Sequence, residues 1–600
     1  MPALPAPEVA LLLREFGQRT ALRGGNPYRS KAYTRAAENL LALTEPLEDL
    51  VAEGRLTEIP GVGDAIAGII TKLHKTGDHP SLQSMRKEMP ADALKMLSIP
   101  GLRPDKVLKL YKELGVASLD ELEKAAKEDR LKPVKGLGAA LQAKVLQGIE
   151  IRRKGEGQRH LHRAAKLLDS AQEQLRRSKL AIEQIVPAGD FRRGCELVGD
   201  LALVVQTDKL EGAAPRKLPS NSQLSVWLTD KRRLGGTLIS ATGSQKHVEQ
   251  LRELAVKNGM ALDEQGLHVG RKVIARKEEE IYAALGLQFI EPELREGLDE
   301  IELAKAHKIP RLVSDGDIRG ILHAHTDRSD GVDTLAVMAE ATKRRGYEYF
   351  GVADHSRSAH YAGGLSIEEI AQQHTEIDNL NQRYGGRLRV FKGIESDILA
   401  DGSLDYPDEV LTSFDFVVAS VHSRFKLGRK EQTERILAAV ANPRTTILGH
   451  MTGRQLLRRP GYDVDVEKIL RACAKHGVAV EINANPWRLD LDWRWHRHAL
   501  EVGCMMSINP DAHSTSEIDL THWGVEMARK GCVPKNRVLN CLSLQDITTY
   551  LADRHGTRPR KMKPVARPRP SQAARAPSSR TPASLARRPR HITKTAASSG

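Results

Sequence analysis

The chain has 600 residues, 40% of them hydrophobic and 28% charged, and this length predicts about three to five domains. It contains no run of about 18 uncharged apolar residues, so we expect no membrane-spanning segment. The N-terminus lacks the pattern of a secretory signal, so we expect a cytoplasmic protein. The five cysteines are never spaced Cys-x-x-Cys, which favours neither a disulfide framework nor a zinc knuckle.

The net charge of +15 is typical of proteins that bind nucleic acid or another polyanion, but it is unevenly distributed. Residues 557–600 contain twelve Lys or Arg and no Asp or Glu, which leaves only +3 for the first 556 residues. This stretch has almost nothing to bury and is predicted to be a disordered basic tail. A low-complexity extension without function is the alternative. The function of the folded regions must therefore be judged from their motifs.

Residues 1–155 predict short helices joined by tight turns, with no clear strand. Three turns resemble one another, and each precedes an amphipathic stretch; their glycines are Gly61 and Gly63, Gly101, and Gly136 and Gly138. Such a turn exposes backbone N–H groups at a helix N-terminus, which can hold a phosphate without sequence preference. This helix-hairpin-helix pattern predicts DNA-backbone binding, against the alternative of ordinary Gly-rich connections. Arg103 replaces the second glycine of the middle copy, so we expect a weaker hairpin there.

Residues 156–312 begin with a basic stretch that predicts a helix over Arg159–Lys179 and continue with a motif that runs from Ala188 to Val205. Together with Thr242-Gly243-Ser244, this segment resembles the palm and thumb of family X DNA polymerases, the family of DNA polymerase beta. The resemblance implies an α+β nucleotidyltransferase palm and thumb over 156–312. It also implies a lyase-like helical domain at 1–85 and a fingers-like domain at 86–155.

The palm motif departs from the family pattern where metal chemistry is performed. Nucleotidyl transfer uses two metal ions held by carboxylates, and the family supplies three. The first is present as Asp200, but the second position is Ala202, and counting back from the Thr-Gly-Ser motif places the third at Ser225. Asp190 replaces the serine that grips the triphosphate. We interpret the palm as a degenerate scaffold that has lost polymerase activity, marked by Asp200, Arg193, Gly243 and Ser244.

From residue 313 to 556, short apolar runs alternate with helical stretches, a pattern typical of a parallel sheet or barrel. Each of the seven runs ends in His, Glu, Asp or Asn. The C-terminal strand ends of a barrel face one mouth, so we expect these side chains to converge there. Imidazoles and carboxylates suit divalent zinc, manganese or iron, which polarise a phosphate and lower the pKa of a bound water. The candidate ligands are His323, His325, Asp330, His355, Glu395, His422, His450, Asp511 and His513.

This constellation resembles the PHP domain, named for polymerase and histidinol phosphatase. The resemblance implies a distorted (β/α)7 barrel and three metal ions. The implied ligand sets are His323, His325, Glu395 and Asp511; then Glu395, His422 and His450; then Asp330, His355 and His513. We expect Glu395, His422 and Asp511 to be catalytic. Arg454 and Arg488 are candidates to grip the substrate phosphate bidentately, with surface or ion-pair arginines as the alternative.

The predicted protein is thus multidomain: an all-α helix-hairpin-helix region, an α+β palm and thumb, a C-terminal PHP barrel and a disordered basic tail. It resembles bacterial-type family X polymerases with an intact PHP metal site. This implies a metal-dependent phosphoesterase that acts on gapped, nicked or 3′-end DNA at the nucleoid, as a 3′ to 5′ exonuclease or at abasic sites. The alternatives are an active family X polymerase with a proofreading PHP domain and a PHP phosphatase for a small molecule.

Overall fold

The computed structural model describes residues 3–555, except 25–26, 42, 44–45, 100–101, 179–180, 208–215 and 219–223. Gly101 and the predicted tail at 557–600 therefore lie outside the described residues. Within them, no helix is long and apolar enough to cross a membrane. All five cysteines are free thiols.

The N-terminal region is helical, as predicted, and its side chains form two hydrophobic cores. One core draws on residues between Val9 and Met85, and the other on residues between Met89 and Ile149 together with Leu22. Glycines end several of these helices; Gly77 and Gly115 adopt the left-handed conformation that suits a helix C-terminus. The helices are α1 Ala6–Leu22, α2 Pro27–Leu41, α3 Leu47–Ala52, α4 Asp64–Thr76, α5 Pro80–Glu88, α6 Ala91–Lys95, α7 Pro104–Leu114, α8 Leu119–Lys127 and α9 Gly138–Lys154.

The middle region is α+β, and its first element differs from the prediction. Arg159 and His160 form a two-residue strand that pairs with Leu197–Val198, so the helix begins only at Leu161. The elements are β1 Arg159–His160, α10 Leu161–Arg176, β2 Ile182–Ala188, α11 Gly189–Arg192, β3 Leu197–Val198, β4 Leu201–Thr207, β5 Arg216–Leu218, β6 Leu224–Thr229, α12 Leu234–Thr242, α13 Gln245–Lys257, β7 Ala261–Asp263, β8 Gly266–Val269, β9 Lys272–Ala275, α14 Glu278–Ala284 and α15 Glu300–Lys305.

Two further sheets organise this region. One has the order β2-β4-β6-β5, in which β4 and β6 run parallel and the other neighbours run antiparallel. The other is the antiparallel sheet β7-β8-β9. Every residue of β4 is buried. The strand that carries the palm motif is therefore fixed on both faces.

The C-terminal region is a seven-stranded parallel sheet, as the alternating pattern predicted. Its order follows the chain, and a parallel bridge between Ala324 and Ala512 brings its first and last strands together. The elements are β10 Gly320–Ile321, α16 Leu335–Arg344, β11 Tyr349–Val352, α17 Ile367–Tyr384, β12 Arg389–Asp397, α18 Asp408–Leu411, β13 Phe416–Ser420, α19 Arg429–Ala441, β14 Ile447–Leu448, α20 Val466–His476, β15 Ala479–Asn483, α21 His496–Val502, β16 Met506–Asn509, α22 Thr521–Lys530 and α23 Leu544–His555.

Strand burial explains why these runs are continuously apolar. In β11, β13, β15 and β16 every residue is buried, as expected for parallel strands that are covered on both faces. A side chain at Gly393 would place its Cβ 2.1 Å from the ring of Phe416, so only glycine fits there. The result is a nearly closed barrel whose polar groups gather at the strand ends.

Candidate metal centre

The nine predicted ligands converge at one end of the barrel. Each lies in, or follows, the C-terminal end of a barrel strand, which is the end that forms the mouth of a β/α barrel. Three groups have ligand atoms within 4.8 Å of one another: His325, Asp330, His355 and His513; His323, His325 and Asp511; and His355, Glu395 and His422. Residues up to 190 positions apart thus form one cluster.

These groups overlap the implied ligand sets without matching them residue for residue. His325 joins the group of Asp330, and His355 takes the place of His450 beside Glu395. His450 is nevertheless adjacent, because its Nε2 lies 2.9 Å from Glu395 Oε1. Glu395 Oε1 also lies 3.5 Å from His323 Nε2. Glu395 is therefore central to the cluster, and the assignment of ligands to individual ions stays a prediction.

The cluster has the properties of a cation site. His323 and His325 are completely buried, yet His323 Nε2 and His325 Nδ1 have no hydrogen-bond partner among the described residues. A buried polar atom left without a partner is costly. Beside these atoms lie the buried carboxylates of Glu395 and Asp511. Imidazole nitrogen and carboxylate oxygen suit a transition-metal ion, so the donor set fits the implied metals.

Two further carboxylates, which the sequence analysis did not identify, orient the imidazoles. Glu481 Oε1 accepts a hydrogen bond from His323 Nδ1 at 2.7 Å, and Glu481 Oε2 accepts one from the His450 backbone N–H at 2.7 Å. Asp397 Oδ1 accepts a hydrogen bond from His422 Nδ1 at 2.5 Å. Carboxylates that hold the second ring nitrogen of a histidine fix its tautomer and direction. The sequence contained one signal for Glu481: it stands two residues before Asn483, which ends the same strand, and side chains two residues apart lie on the same face of a strand.

Burial and mutual contact set the charges in the cluster. Burial opposes ionisation of Glu395 and Asp511, but the surrounding imidazoles hold the pKa of both carboxyls well below the usual range. Burial lowers the pKa of His325 to about 3, and His513 and His355 act in the same direction. Burial opposes protonation of His422, yet the carboxylates of Glu395 and Asp397 raise its pKa to about 10. The acids are thus anions, the form in which carboxylates ligate metals.

The two predicted phosphate-binding arginines differ in position. Arg488 Nε lies 3.7 Å from Asp511 Oδ2, so its guanidinium faces the cluster. Arg454 Nε instead donates to the Arg488 carbonyl at 3.0 Å, its Nη1 donates to Asp492 at 2.8 Å, and its Nη2 donates to the Leu489 carbonyl. These contacts hold the mouth loop and agree with the ion-pair alternative, and a phosphate-gripping role for Arg454 stays a prediction.

The palm contrasts with this metal cluster. Strands β4 and β6 are parallel, and their register pairs Ala202 directly with Ser225, which is where counting along the sequence had placed the second and third carboxylate positions. Ala202 is completely buried in an apolar cluster with Ala188, Val204 and Leu238. Neither an alanine methyl nor a serine hydroxyl provides the anionic ligand that two-metal chemistry uses. Asp200 keeps its carboxylate at this site.

The remaining palm residues have structural partners. Arg193 pairs with Asp190 at 2.6 Å and with Glu296 at 3.0 Å, and both Arg193 and Glu296 contact Lys530 of the barrel. Asp190 also accepts hydrogen bonds from the backbone N–H groups of residues 199 and 200. Ser244 caps α13 by accepting from the His247 N–H, and a side chain at Gly243 would collide with Val248. Arg193, one of the residues that mark the predicted degenerate palm, is therefore held by carboxylates of its own chain.

The hairpin turns share one hydrogen-bond geometry. The N–H groups of Val62, Leu102 and Leu137 donate to the carbonyls three residues earlier at 3.0, 3.1 and 3.0 Å. Gly61, Gly136 and Gly138 have positive φ, whereas Gly63 is extended and precedes α4. In the middle copy, residues 100–101 lie outside the described residues, and α7 begins directly after Arg103. DNA contact by these glycines stays a prediction.

Comparison with known proteins finds matches to four domain families along the chain. Residues 4–79 match a helix-hairpin-helix domain, 93–150 a SAM-like helix-hairpin-helix tandem, 237–296 the DNA polymerase beta thumb and 322–485 the PHP domain. Over 249 residues the chain is 25% identical to a probable phosphatase of Thermoanaerobacter sp. (strain X514), covering 39% of this chain and 94% of that protein. Over 569 residues it is 33% identical to the DNA polymerase/3'-5' exonuclease PolX of Bacillus subtilis (strain 168), covering 91% of this chain and 99% of that protein. The chain therefore belongs to the PolX family, the family X DNA polymerases that carry a C-terminal PHP domain.

Proposed function

We propose that this protein is a metal-dependent phosphoesterase that removes nucleotides from DNA 3′ ends, a 3′ to 5′ exonuclease of DNA repair at the nucleoid, and that its palm does not polymerise. The observation that carries the proposal is the convergence of nine histidines and carboxylates at one barrel mouth. The B. subtilis relative is named as a 3'-5' exonuclease, which favours this reaction. Gapped, nicked and 3′-ended DNA are the proposed substrates, because the hairpin domains suit a DNA backbone.

Divalent ions, proposed to be three and to be manganese, zinc or iron, would polarise the phosphate and activate a water when bound. The chain supplies the rest of the arrangement. Glu481 and Asp397 hold the imidazoles of His323 and His422 so that their free nitrogens point into the cluster. The guanidinium of Arg488 lies beside Asp511, where it can orient a phosphodiester oxygen. Glu395, His422 and Asp511 are the proposed catalytic residues.

Loss of polymerase activity is supported by the palm. One of the three carboxylate positions keeps its acid, and the two others, Ala202 and Ser225, lie side by side. Asp190 stands where the family has the serine that grips the triphosphate, and with Glu296 it balances the charge of Arg193. A nucleotide that approached Arg193 would have to displace both carboxylates. The observations in favour of a second candidate, a working polymerase, are Asp200 and the printed name of the B. subtilis relative.

The test is an assay of the purified chain with manganese on 5′-labelled gapped DNA, with and without nucleotides. The proposal expects stepwise shortening of the 3′ end in both conditions and no longer product. Extension with nucleotides would support the polymerase candidate. A third candidate, a phosphatase for a small molecule, is favoured by the name of the Thermoanaerobacter relative; it predicts hydrolysis of small phosphate monoesters and intact DNA.

A further inference from the structure

Trp487 lies where the chain that leaves the helix-hairpin-helix region meets the barrel. Its ring centroid is 4.2 Å from that of His160, which lies six residues after the end of α9. The His160 ring also contacts the barrel through Nε2, 3.0 Å from the Leu456 carbonyl oxygen. The proposed function gives Trp487 no role, although it stands beside Arg488 in the mouth loop.

Cations surround this tryptophan. The guanidinium of Arg458 lies 3.9 Å from the Trp487 ring centroid, and that of Arg163 lies 4.6 Å from it. Lys166 is exposed one turn along α10 from Arg163 and acts electrostatically on the adjacent His162. We call Arg163, Lys166, Arg458 and Trp487 the Trp487 patch. A guanidinium can stack on an aromatic ring and also donate hydrogen bonds from its N–H edges to a planar anion such as a phosphate.

The charge of Arg458 is not balanced within the described residues. Burial lowers its pKa, and no carboxylate opposes that effect. By contrast, Arg454 has Asp492 at 2.8 Å, and Arg529 has Glu293 at 2.5 Å. Arg458 is nonetheless solvent-exposed, so its charge is open to an anion that approaches from solvent.

The histidines of this junction do not supply positive charge. Burial lowers the pKa of both His160 and His162 to about 4, so both rings are neutral near pH 7. The positive charge of the surface therefore belongs to the three cationic side chains of the Trp487 patch. It persists across the pH range in which the protein would act on DNA, since Lys and Arg stay protonated there.

The Trp487 patch is continuous with the mouth of the barrel. Trp487 follows β15 and Arg458 follows β14, and the two loops are joined because the Leu456 N–H donates to the Trp487 carbonyl at 2.7 Å. The next residue after Trp487 is Arg488, whose Nε lies 3.7 Å from Asp511. An anion bound at the patch would thus lie close to the cluster and on the side from which the hairpin domains arrive.

We infer that the Trp487 patch binds the phosphodiester backbone of the DNA strand whose 3′ end enters the barrel mouth, a few nucleotides before that end. This inference rests on the proposed function, since it supplies the path between the hairpin domains and the metal cluster. A DNA strand fits the surface better than an acidic protein does, because the patch joins two regions that both face nucleic acid in that proposal.

The experiment measures binding of a fluorescent 3′-tailed oligonucleotide in EDTA over a series of salt concentrations. The variant is Arg458→Gln with Lys166→Gln, and the matched control is Arg389→Gln, which removes an arginine stacked 5.7 Å from Phe391 at the opposite end of the barrel. Loss of two phosphate contacts on a single strand should reduce the slope of log affinity against log salt by about 1.4. We expect affinity at low salt to fall about tenfold in the variant and to stay unchanged in the control.

A second measurement distinguishes a loss of DNA binding at the Trp487 patch from damage to the metal cluster at the barrel mouth. Hydrolysis of bis(p-nitrophenyl) phosphate with manganese should be the same in wild type, variant and control. A variant with the salt slope of the control, or with ester hydrolysis lost in step with DNA binding, would overturn the inference. If Arg458→Gln lowers the thermal midpoint, Lys166→Gln alone, on an exposed helix face, should still reduce the slope by about 0.7. If the wild-type protein binds DNA with the expected salt dependence but does not hydrolyse it, the proposed exonuclease function is refuted while DNA binding by the Trp487 patch is not.

Discussion

The barrel mouth and the palm carry the two chemistries expected of this family, and they differ in how many of their ligands remain. At the mouth, nine histidines and acids lie in one cluster, with Glu481 and Asp397 holding the imidazoles in place. At the palm, Asp200 keeps its carboxylate while Ala202 and Ser225 occupy the paired positions on adjacent strands. The palm fold persists without its ligands because β4 is buried on both faces. In the proposed function, the palm scaffold is thus kept without its polymerase chemistry.

The largest expected effect, a loss of hydrolysis, follows from a substitution in the metal cluster at the barrel mouth. It would sharpen the contrast between the mouth and the palm. Glu395→Ala removes the carboxylate that contacts His323, His355, His422 and His450. Metal assistance is worth several kcal/mol of barrier, so hydrolysis should fall by about 1000-fold or more. DNA affinity should stay nearly unchanged, because the substitution removes none of the proposed DNA contacts of the hairpin domains or of the Trp487 patch. Rates are measured on 5′-labelled DNA and affinities by anisotropy.

The control for that variant is Glu340→Ala, which removes a glutamate that pairs with Lys343 on the outer helix α16. Its exonuclease rate should equal that of wild type. Retained hydrolysis in a clean Glu395→Ala preparation would remove the basis of the metal assignment.

A smaller effect should follow from the residues that orient the ligands. Glu481→Gln keeps the shape of the side chain but weakens its hold on His323 Nδ1. Loss of such a partner typically costs about 10 to 100-fold in metal affinity or activity. Titration of the metal-free protein with manganese, followed by calorimetry, measures the change. An unchanged affinity would mean that His323 does not ligate.

The sequence was sufficient to locate the strand ends and the nine candidate ligands, because parallel strands place their C-terminal residues at one mouth. It was insufficient for the contacts between loops. Arg454 lies next to the mouth in sequence, yet its donors hold the carbonyls of residues 488 and 489, which only the folded loop brings within reach. The start of α10 was also wrong, because Arg159 and His160 pair with a strand 37 residues later. Pairing with a strand so far away in the sequence leaves no pattern in the residues around Arg159 and His160 that could predict it.

A further prediction concerns the tail, residues 557–600, whose twelve Lys and Arg belong to neither the barrel mouth nor the palm. Each duplex phosphate that is neutralised contributes about −0.9 to the salt slope, so deletion of the tail should make the slope shallower by several units. Hydrolysis of a small ester should not change. The salt dependence of DNA binding measures the effect. A slope equal to that of the full chain would favour an extension without a DNA-binding role.

The smallest effect is expected at the junction between palm and barrel. Burial, reinforced by Glu293, raises the pKa of Glu526 to about 7, while His522 and Arg529 oppose the rise and Asp315 adds to it. A carboxyl with a raised folded-state pKa stabilises the protein fully below its unfolded pKa, and this contribution is lost as pH rises through about 7.

Glu526→Gln should therefore raise the thermal unfolding midpoint at pH 8 and leave it unchanged near pH 4. Scanning fluorimetry over this range provides the measurement, with the exposed Glu302→Gln as control. A midpoint difference that is constant with pH would show that Glu526 ionises in the same way in both states.

The central claim is that the metal cluster at the barrel mouth hydrolyses DNA 3′ ends and that the palm does not add nucleotides. The Glu395→Ala variant tests it most directly, because without exonuclease activity an extended primer would not be shortened again. This variant is incubated with gapped DNA, manganese and all four nucleotides, and primer length is followed on a gel. The account predicts no extended primer, because Ala202 and Ser225 leave the two-metal site without its anchors. Extension of the primer by this variant at a rate comparable to that of the B. subtilis relative would contradict it.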